Sequence, residues 1–383
     1  MEIKGTIKSG FEAVGDAFEQ NFAEGLEVGA AAAVTVDGEF VVDIWGGDSD
    51  SRGTPWAEDS IINVYSTTKT MAATCMLALA DRGQLDFDAP VAQYWPEFAR
   101  NGKDGVLVRH VLSHTAGVPG LDPPPAMAPE LYDLDALAAR LAAQAPWWEP
   151  GTKSGYHAVT QGTLEGEVLY RITGRRMGEW FRDEIAQPLG ADFHMGLPAS
   201  EDERVAELIP PDVVPDPENL EINGVKITLD SIAGRTLTSF LLDATEPRTR
   251  EWRAAEIPAA GGIGNARSIA RIHSMLANGG EVDGVRIMSE AGARRGLEEQ
   301  IDNIDEVLLL RLRHGLGFAR ELEGWETSPN ENHMFWGGWG GSVAIVDFDA
   351  RASIAYVMNR MDADLTGDPR GSRIAEAVYR SLG

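Results

Sequence analysis

Ser66-Thr67-Thr68-Lys69 is the one place in the 383-residue chain where a lysine follows a serine by three residues; the other lysines stand at positions 4, 8, 103, 153 and 226. The motif sits where a polar stretch gives way to the apolar run Met71–Ala80, which reads as a helix. On the first turn of a helix, positions i and i+3 share a face, so the Lys69 amine can reach the Ser66 hydroxyl. A helix start also offers free backbone N–H groups and the positive end of the dipole to developing negative charge. Nucleophile and activator therefore come as one unit, suited to acyl transfer. Taken alone, such a serine is more often a helix cap than a catalyst.

A lysine at its ordinary pKa near ~10.4 is a poor base at neutral pH and needs burial or a neighbour to shift it. A phenol facing the pair can share a proton with both. Tyr156, in Gly155-Tyr156-His157-Ala158 at the mouth of a helix starting near Val159, is the candidate among seven tyrosines. Donors for a tetrahedral oxyanion are also needed. The run Trp336-Gly337-Gly338-Trp339-Gly340-Gly341-Ser342 supplies a backbone that can approach a substrate closely, ahead of a predicted strand. Trp336, Gly337, Gly338 and His157 are the expected substrate contacts.

The elements around these residues are legible from periodicity. Phe11, Val14, Phe18 and Phe22 recur at helical spacing, ending near Gly25. The β-like runs Gly29–Val36 and Glu39–Trp45 are split by Asp37-Gly38, a two-residue hairpin signal. Near the other end the order is mirrored: Ser342–Phe348, a turn, Ala352–Asn359, then a helix carrying Ile374, Val378 and Leu382. Hairpins from both termini are expected to share one antiparallel sheet with the terminal helices on a face. Between them Leu134–Ala143, Val159–Ile172, Met177–Ile185 and Ile269–Leu276 read as helices, and Pro119–Pro129 and Pro210–Pro217 as surface loops. The expected fold is α/β of the α+β type: a sheet domain from residues 1–90 and 255–383, and an inserted, mainly helical domain over residues 91–254. The active site falls in the cleft between them.

Bulk composition narrows the partners. Sixty acidic residues against 33 basic ones give a formal charge of −27, which repels phosphate backbones and anionic lipid. Neither nucleic acid nor a membrane is an expected partner, and nothing in the chain signals an oligomeric state. No apolar run reaches the length of about 18 residues that a membrane helix needs, and the start lacks a secretory pattern, so the protein reads as soluble and cytoplasmic. The lone Cys75, in an apolar run, reads as a buried structural thiol.

Ser66-Thr67-Thr68-Lys69, the later Tyr156 and the glycine-rich strand entry together resemble the class C β-lactamase and penicillin-binding-protein-like serine hydrolases, in particular their esterase branch, the family VIII carboxylesterases. Leu79-Ala80-Asp81-Arg82-Gly83-Gln84-Leu85-Asp86, His110-Val111-Leu112-Ser113-His114-Thr115-Ala116-Gly117, Gln187-Pro188-Leu189-Gly190 and Ala260-Gly261-Gly262-Ile263 extend the resemblance along nearly the whole chain. It implies a β-lactamase/transpeptidase-like fold, Ser66 as nucleophile, Lys69 and Tyr156 as general base and acid, and an oxyanion hole from the backbone N–H groups of Ser66 and Trp339. It implies no metal and no organic cofactor.

Two departures from the β-lactamases bear on substrate. Their Tyr-x-Asn is Tyr156-His157-Ala158 here, and their Lys-Thr-Gly is Trp336-Gly337-Gly338. An indole in place of a cation removes the charge partner of the drug's carboxylate and leaves an apolar wall, which suits a short-chain ester. A β-lactamase, an amidase or D-aminopeptidase, and a transacylase share the same acyl-enzyme and stand as alternatives; so does a catalytically silent ligand-binding module. His110 and His114, four apart, lack a third metal ligand nearby. Gly-x-Ser-x-Gly and phosphate-loop spacings are absent.

Overall fold

The computed structural model describes residues 2–211 and 221–383. After a short strand β1 (Lys4–Ile7), helix α1 (Glu12–Ala23) buries Val14 and Phe18 and stops before Gly25, whose φ of +72° an L side chain rarely adopts. Strands β2 (Gly29–Val36) and β3 (Glu39–Gly47) form the expected hairpin, with Val36 opposite Glu39. Asp37 and Gly38 both have positive φ, as a two-residue turn matching strand twist requires.

The second half of the sheet is larger than the sequence patterns indicate. Beyond the anticipated hairpin, four further strands precede it: β4 (Ile301–Ile304), β5 (Arg311–His314), β6 (Ala319–Leu322) and β7 (His333–Gly337). They lead into β8 (Val343–Asp347) and β9 (Ala352–Met358). The nine strands run in the order β1-β3-β2-β9-β8-β7-β6-β5-β4, so the chain's two ends meet at the β2–β9 pair, where Val34 faces Ile354. Trp336 and Gly337 thus end a strand; they do not merely precede one.

Every residue of β8 and β9 is buried, which requires cover on both faces. Helix α4 (Ala266–Ala277) lies over β9, β2 and β8, with Ser353 Oγ donating to the Ala270 carbonyl at 2.7 Å. Helix α1 packs with the C-terminal helix α5 (Pro369–Leu382) against β3 and β9. The alanine run of β2, Ala30 to Ala33, lets α4 approach closely.

Helix α2 (Thr68–Asp81) is buried from Thr68 to Leu79, Cys75 included, with an apolar run from Met71 interrupted only by Thr74. Against it packs α3 (Thr160–Thr173), closed by Gly174 at φ +71°. The helix anticipated over Met177–Ile185 is α-helical over Met177–Phe181 and continues as a wider turn to Ala186. Pro119–Pro129 is only partly a surface loop: it contains the two-residue strand Ala126–Met127, and Gly120, Leu121 and Ala126 are buried. Residues 212–217 of the other proline-rich segment lie outside the described residues. Among the described residues no helix is long and apolar enough to cross a membrane.

Candidate active site

Ser66 is held by elements from distant parts of the chain. A small sheet pairs Ile62–Asn63 with Gly262–Gly264, and Val64 N–H donates to the Gly262 carbonyl at 2.9 Å. The chain then turns through Tyr65, a bulky residue at φ +41°, a strained conformation of the kind found where a side chain must be aimed. Thr68 Oγ1 donates to the Tyr65 carbonyl at 2.5 Å and accepts from Gly262 N–H at 2.8 Å. Thr67 Oγ1 bonds Ser342 Oγ at 2.9 Å, at the entry to β8. Both threonines between Ser66 and Lys69 therefore fasten the turn, and a side chain at Gly262 would collide with Thr68 and Phe193.

This framework brings Ser66, Lys69 and Tyr156 together. Lys69, 2% exposed, lies 3.2 Å from Ser66 Oγ and donates to the Ala158 carbonyl at 2.6 Å and to the Ala259 carbonyl at 2.9 Å. Tyr156, 7% exposed, points its hydroxyl at Ser66 Oγ, 2.5 Å away, and the Lys69 amine sits 4.9 Å from the centre of its ring. Ser66 itself is half-buried, the most open of the three.

Burial sets the protonation states. It brings the Lys69 amine down to about 7, against the pull of the Glu165 carboxylate, and pushes the Tyr156 phenol up to about 12. Carbonyls only accept, so a neutral Lys69 spends its two N–H bonds on Ala158 and Ala259 and aims its lone pair at the Ser66 hydroxyl. The phenol is protonated at neutral pH and is a donor to the same oxygen. A neutral Lys69 can take up the Ser66 proton, and the Tyr156 phenol has a proton to give.

The glycine run has a specific geometry. Gly338 N–H donates to the Ser342 carbonyl and Gly341 N–H to the Gly338 carbonyl, closing a tight loop whose Gly340 and Gly341 have φ of +96° and +122°. Among the described residues, no acceptor takes the backbone N–H of Trp339 or of Ser66, as an oxyanion hole requires. The Trp339 ring lies 5.2 Å from that of Tyr65, and buried Trp336 lies 5.3 Å from that of Tyr156. Gly337 and Gly338 are needed for packing against the protein itself: a Cβ at Gly337 would meet the Trp325 ring, and one at Gly338 the Val64 carbonyl.

His157 does not reach the cleft, contrary to expectation. It is fully buried, its Nδ1–H donates to the Gly155 carbonyl at 2.6 Å, and its Nε2 accepts from Val118 N–H at 3.3 Å. Burial brings it down to about 3, and no ring nitrogen is left for a substrate. His114, at φ +60°, packs edge-on against Tyr156 at 5.0 Å. His110 instead accepts Leu107 N–H at the start of its own helix.

Two residues near the centre carried no sequence signal. Glu165 on α3 is buried, and burial raises its carboxyl to about 8. Asp305, between β4 and β5, accepts the Tyr156 backbone N–H at 3.0 Å.

The chain belongs to the β-lactamase family, whose model matches residues 18–379. It is 37% identical over 372 residues to "Esterase/beta-lactamase LipL" of Mycobacterium tuberculosis, covering 94% of this chain and 83% of that one. Esterase EstB of Burkholderia gladioli is 32% identical over 206 residues, covering 49% of this chain and 52% of that one. Among solved structures, a family VIII carboxylesterase superposes with a TM-score of 0.92 at 43% identity over the whole of both chains. A penicillin-binding protein homologue from Caulobacter crescentus gives 0.90 at 40% identity, again over both chains in full.

Proposed function

We propose that the protein is a serine carboxylesterase that cleaves short-chain acyl esters through an acyl-enzyme on Ser66. The observation that carries this reading is one oxygen with two partners: Ser66 Oγ lies 3.2 Å from the Lys69 amine and 2.5 Å from the Tyr156 hydroxyl. The esterases among its relatives support the ester as substrate.

In the first half-reaction the Ser66 oxygen attacks the ester carbonyl as its proton moves to Lys69 Nζ. The carbonyl π pair moves to oxygen, where the N–H groups of Ser66 and Trp339 stabilise it. Collapse breaks the carbon–oxygen bond of the alcohol, which leaves with a proton from Tyr156, and Tyr156 is recharged from Lys69. Water then repeats the sequence against the acyl-enzyme, its proton passing to the same pair and Ser66 leaving as the alcohol.

The indole of Trp336 is buried among Tyr156, His114 and His314, and by the resemblance of motifs it takes the place of the lysine of the β-lactamases. It supplies an apolar wall and no counter-charge for a substrate carboxylate. The net charge of −27 weighs against nucleic acid or an anionic membrane as a partner.

The test is a substrate panel with intact-protein mass spectrometry. The enzyme is expected to turn over p-nitrophenyl butyrate far faster than nitrocefin and, on reaction with a fluorophosphonate, to gain the mass of one phosphonyl group as fluoride leaves. Ser66→Ala is expected to lose the adduct and about 10⁴-fold or more in rate. Faster nitrocefin turnover reverses the assignment of substrate, and an adduct on Ser66→Ala reverses that of the nucleophile.

A further inference from the structure

Tyr156 lies in a stretch that belongs to no helix or strand, between Lys153 and the start of α3. An acid that must stay 2.5 Å from its partner needs its backbone fixed by other means, because a misplacement of about 1 Å can cost 10²-fold in rate. The neighbouring N–H groups show how this is done on one side: Gly155 N–H donates to the His114 carbonyl at 3.0 Å, and His157 N–H to His114 Nδ1 at 3.2 Å. Between them, Tyr156 N–H points the other way and is taken by Asp305 Oδ1 at 3.0 Å.

Asp305 is 0% exposed. The oxygen that receives Tyr156 also accepts the N–H groups of Val307 and Leu308, each at 2.9 Å, so the loop after β4 wraps around its own carboxylate. Three N–H donors converging on one acceptor oxygen fix its place in the loop. Burial raises the Asp305 carboxyl, and the N–H groups of Leu308, Tyr156 and Val307 oppose that rise.

The same two segments are tied at further points. Glu306 N–H donates to the Ser154 carbonyl at 2.9 Å, Ser154 Oγ to Asn303 Oδ1 at 2.8 Å, and Lys153 pairs with Glu306 at 2.8 Å. Only the Asp305 bond lands on the residue that carries the phenol. The carboxylate touches neither Ser66 nor Lys69.

We propose that Asp305 is a positioning residue, which sets the backbone of Tyr156 so that its hydroxyl stays on Ser66. The inference rests on the reading of Tyr156 as the acid in ester cleavage. It assigns the loop between β4 and β5 a part in catalysis without contact with substrate.

The experiment uses the full chain and p-nitrophenyl butyrate, with kcat and KM measured separately. Asp305→Asn keeps an acceptor oxygen in place and loses the charge, whereas Asp305→Glu keeps the charge and displaces the oxygen. The expected result is kcat within about threefold of the parent for Asp305→Asn and a fall of about 10²-fold for Asp305→Glu, with KM little changed in both. The reverse ranking overturns the proposal, since charge and not position would then matter.

Asp305→Glu is also placed in a Tyr156→Phe background. With the hydroxyl gone, its further cost in kcat is expected to fall below about threefold, because the two act as a unit. A full 10²-fold loss in that background marks a merely structural role and overturns the proposal. Parent-like kcat in Tyr156→Phe alone overturns the reading of Tyr156 itself, a failure distinct from that of Asp305.

Discussion

Tyr156 Oη and Ser66 Oγ, 90 residues apart in the chain, lie 2.5 Å from each other, while the amine one helical turn beyond Ser66 approaches the same oxygen from a second direction. Two proton carriers on one oxygen permit transfer into and out of the site without bulk water.

Tyr156→Phe removes one hydroxyl and no packing surface. A fall in kcat/KM of about 10²- to 10⁴-fold is expected, the range typical of a positioned acid or base. Thermal unfolding is expected to stay within a few degrees of the parent. Parent-like turnover would remove the phenol from the mechanism.

The pH profile follows from Lys69. As a base it must be neutral, and burial brings its amine down to about 7, so kcat/KM is expected to rise with pH through about 7 and then level off. The Glu165 carboxyl, which burial raises to about 8, is mostly protonated where Lys69 titrates, and its charge favours the ammonium form only at higher pH. Glu165→Gln is therefore expected to leave the midpoint of the rising limb near the parent's. A midpoint lower by about a unit or more would show that Glu165 is ionised beside the amine.

How much of this was readable without coordinates depends on how local each signal is. Ser66 and Lys69 were legible because a helical turn fixes their relation over three residues. The hairpin at Asp37-Gly38 was legible because only a few residue types accept positive φ at both positions. Strand β5 was missed: it is four residues long, with Arg311 exposed and Arg313 only partly buried between Leu312 and His314, too short and too charged to stand out. His157 was misassigned because neighbours in an extended stretch point to opposite sides, so adjacency to Tyr156 in sequence means separation from the cleft. Asp305 left no trace, since its one informative contact spans 149 positions.

Gly338→Ala tests the loop that carries the Trp339 N–H. An added Cβ would overlap the Val64 carbonyl and crowd Ser342 Oγ, and the Val64 backbone is tied to Gly262. The loop has to shift away from Ser66, and kcat is expected to fall by about 10²- to 10³-fold, as for loss of an oxyanion donor. Fluorophosphonate labelling in a folded variant checks this; labelling at the parent rate would dissociate the loop from oxyanion binding.

The same loop is anchored from behind by Arg370, at the start of α5. Its guanidinium donates to the Gly340 carbonyl at 2.6 Å and the Arg360 carbonyl at 2.8 Å, and pairs with Asp368 at 2.6 Å and Glu27 at 3.2 Å, all out of solvent. Burial pushes the Glu27 carboxyl well above its usual range, and Arg370 is the main force opposing it. Arg370→Met leaves Glu27 and Asp368 buried without their cation, a loss that typically costs about 3–5 kcal/mol. In parent and variant alike the folded state keeps a proton on Glu27 that the unfolded chain releases above a pH of about 4.3, so the stability of both falls as pH rises. Loss of Arg370 raises the folded-state carboxyl further and carries that fall to higher pH. Urea unfolding is therefore expected to show a deficit relative to the parent that is at least as large at pH 8 as at pH 5. A deficit greater at pH 5 would mean that Arg370 does not oppose the rise of the Glu27 carboxyl.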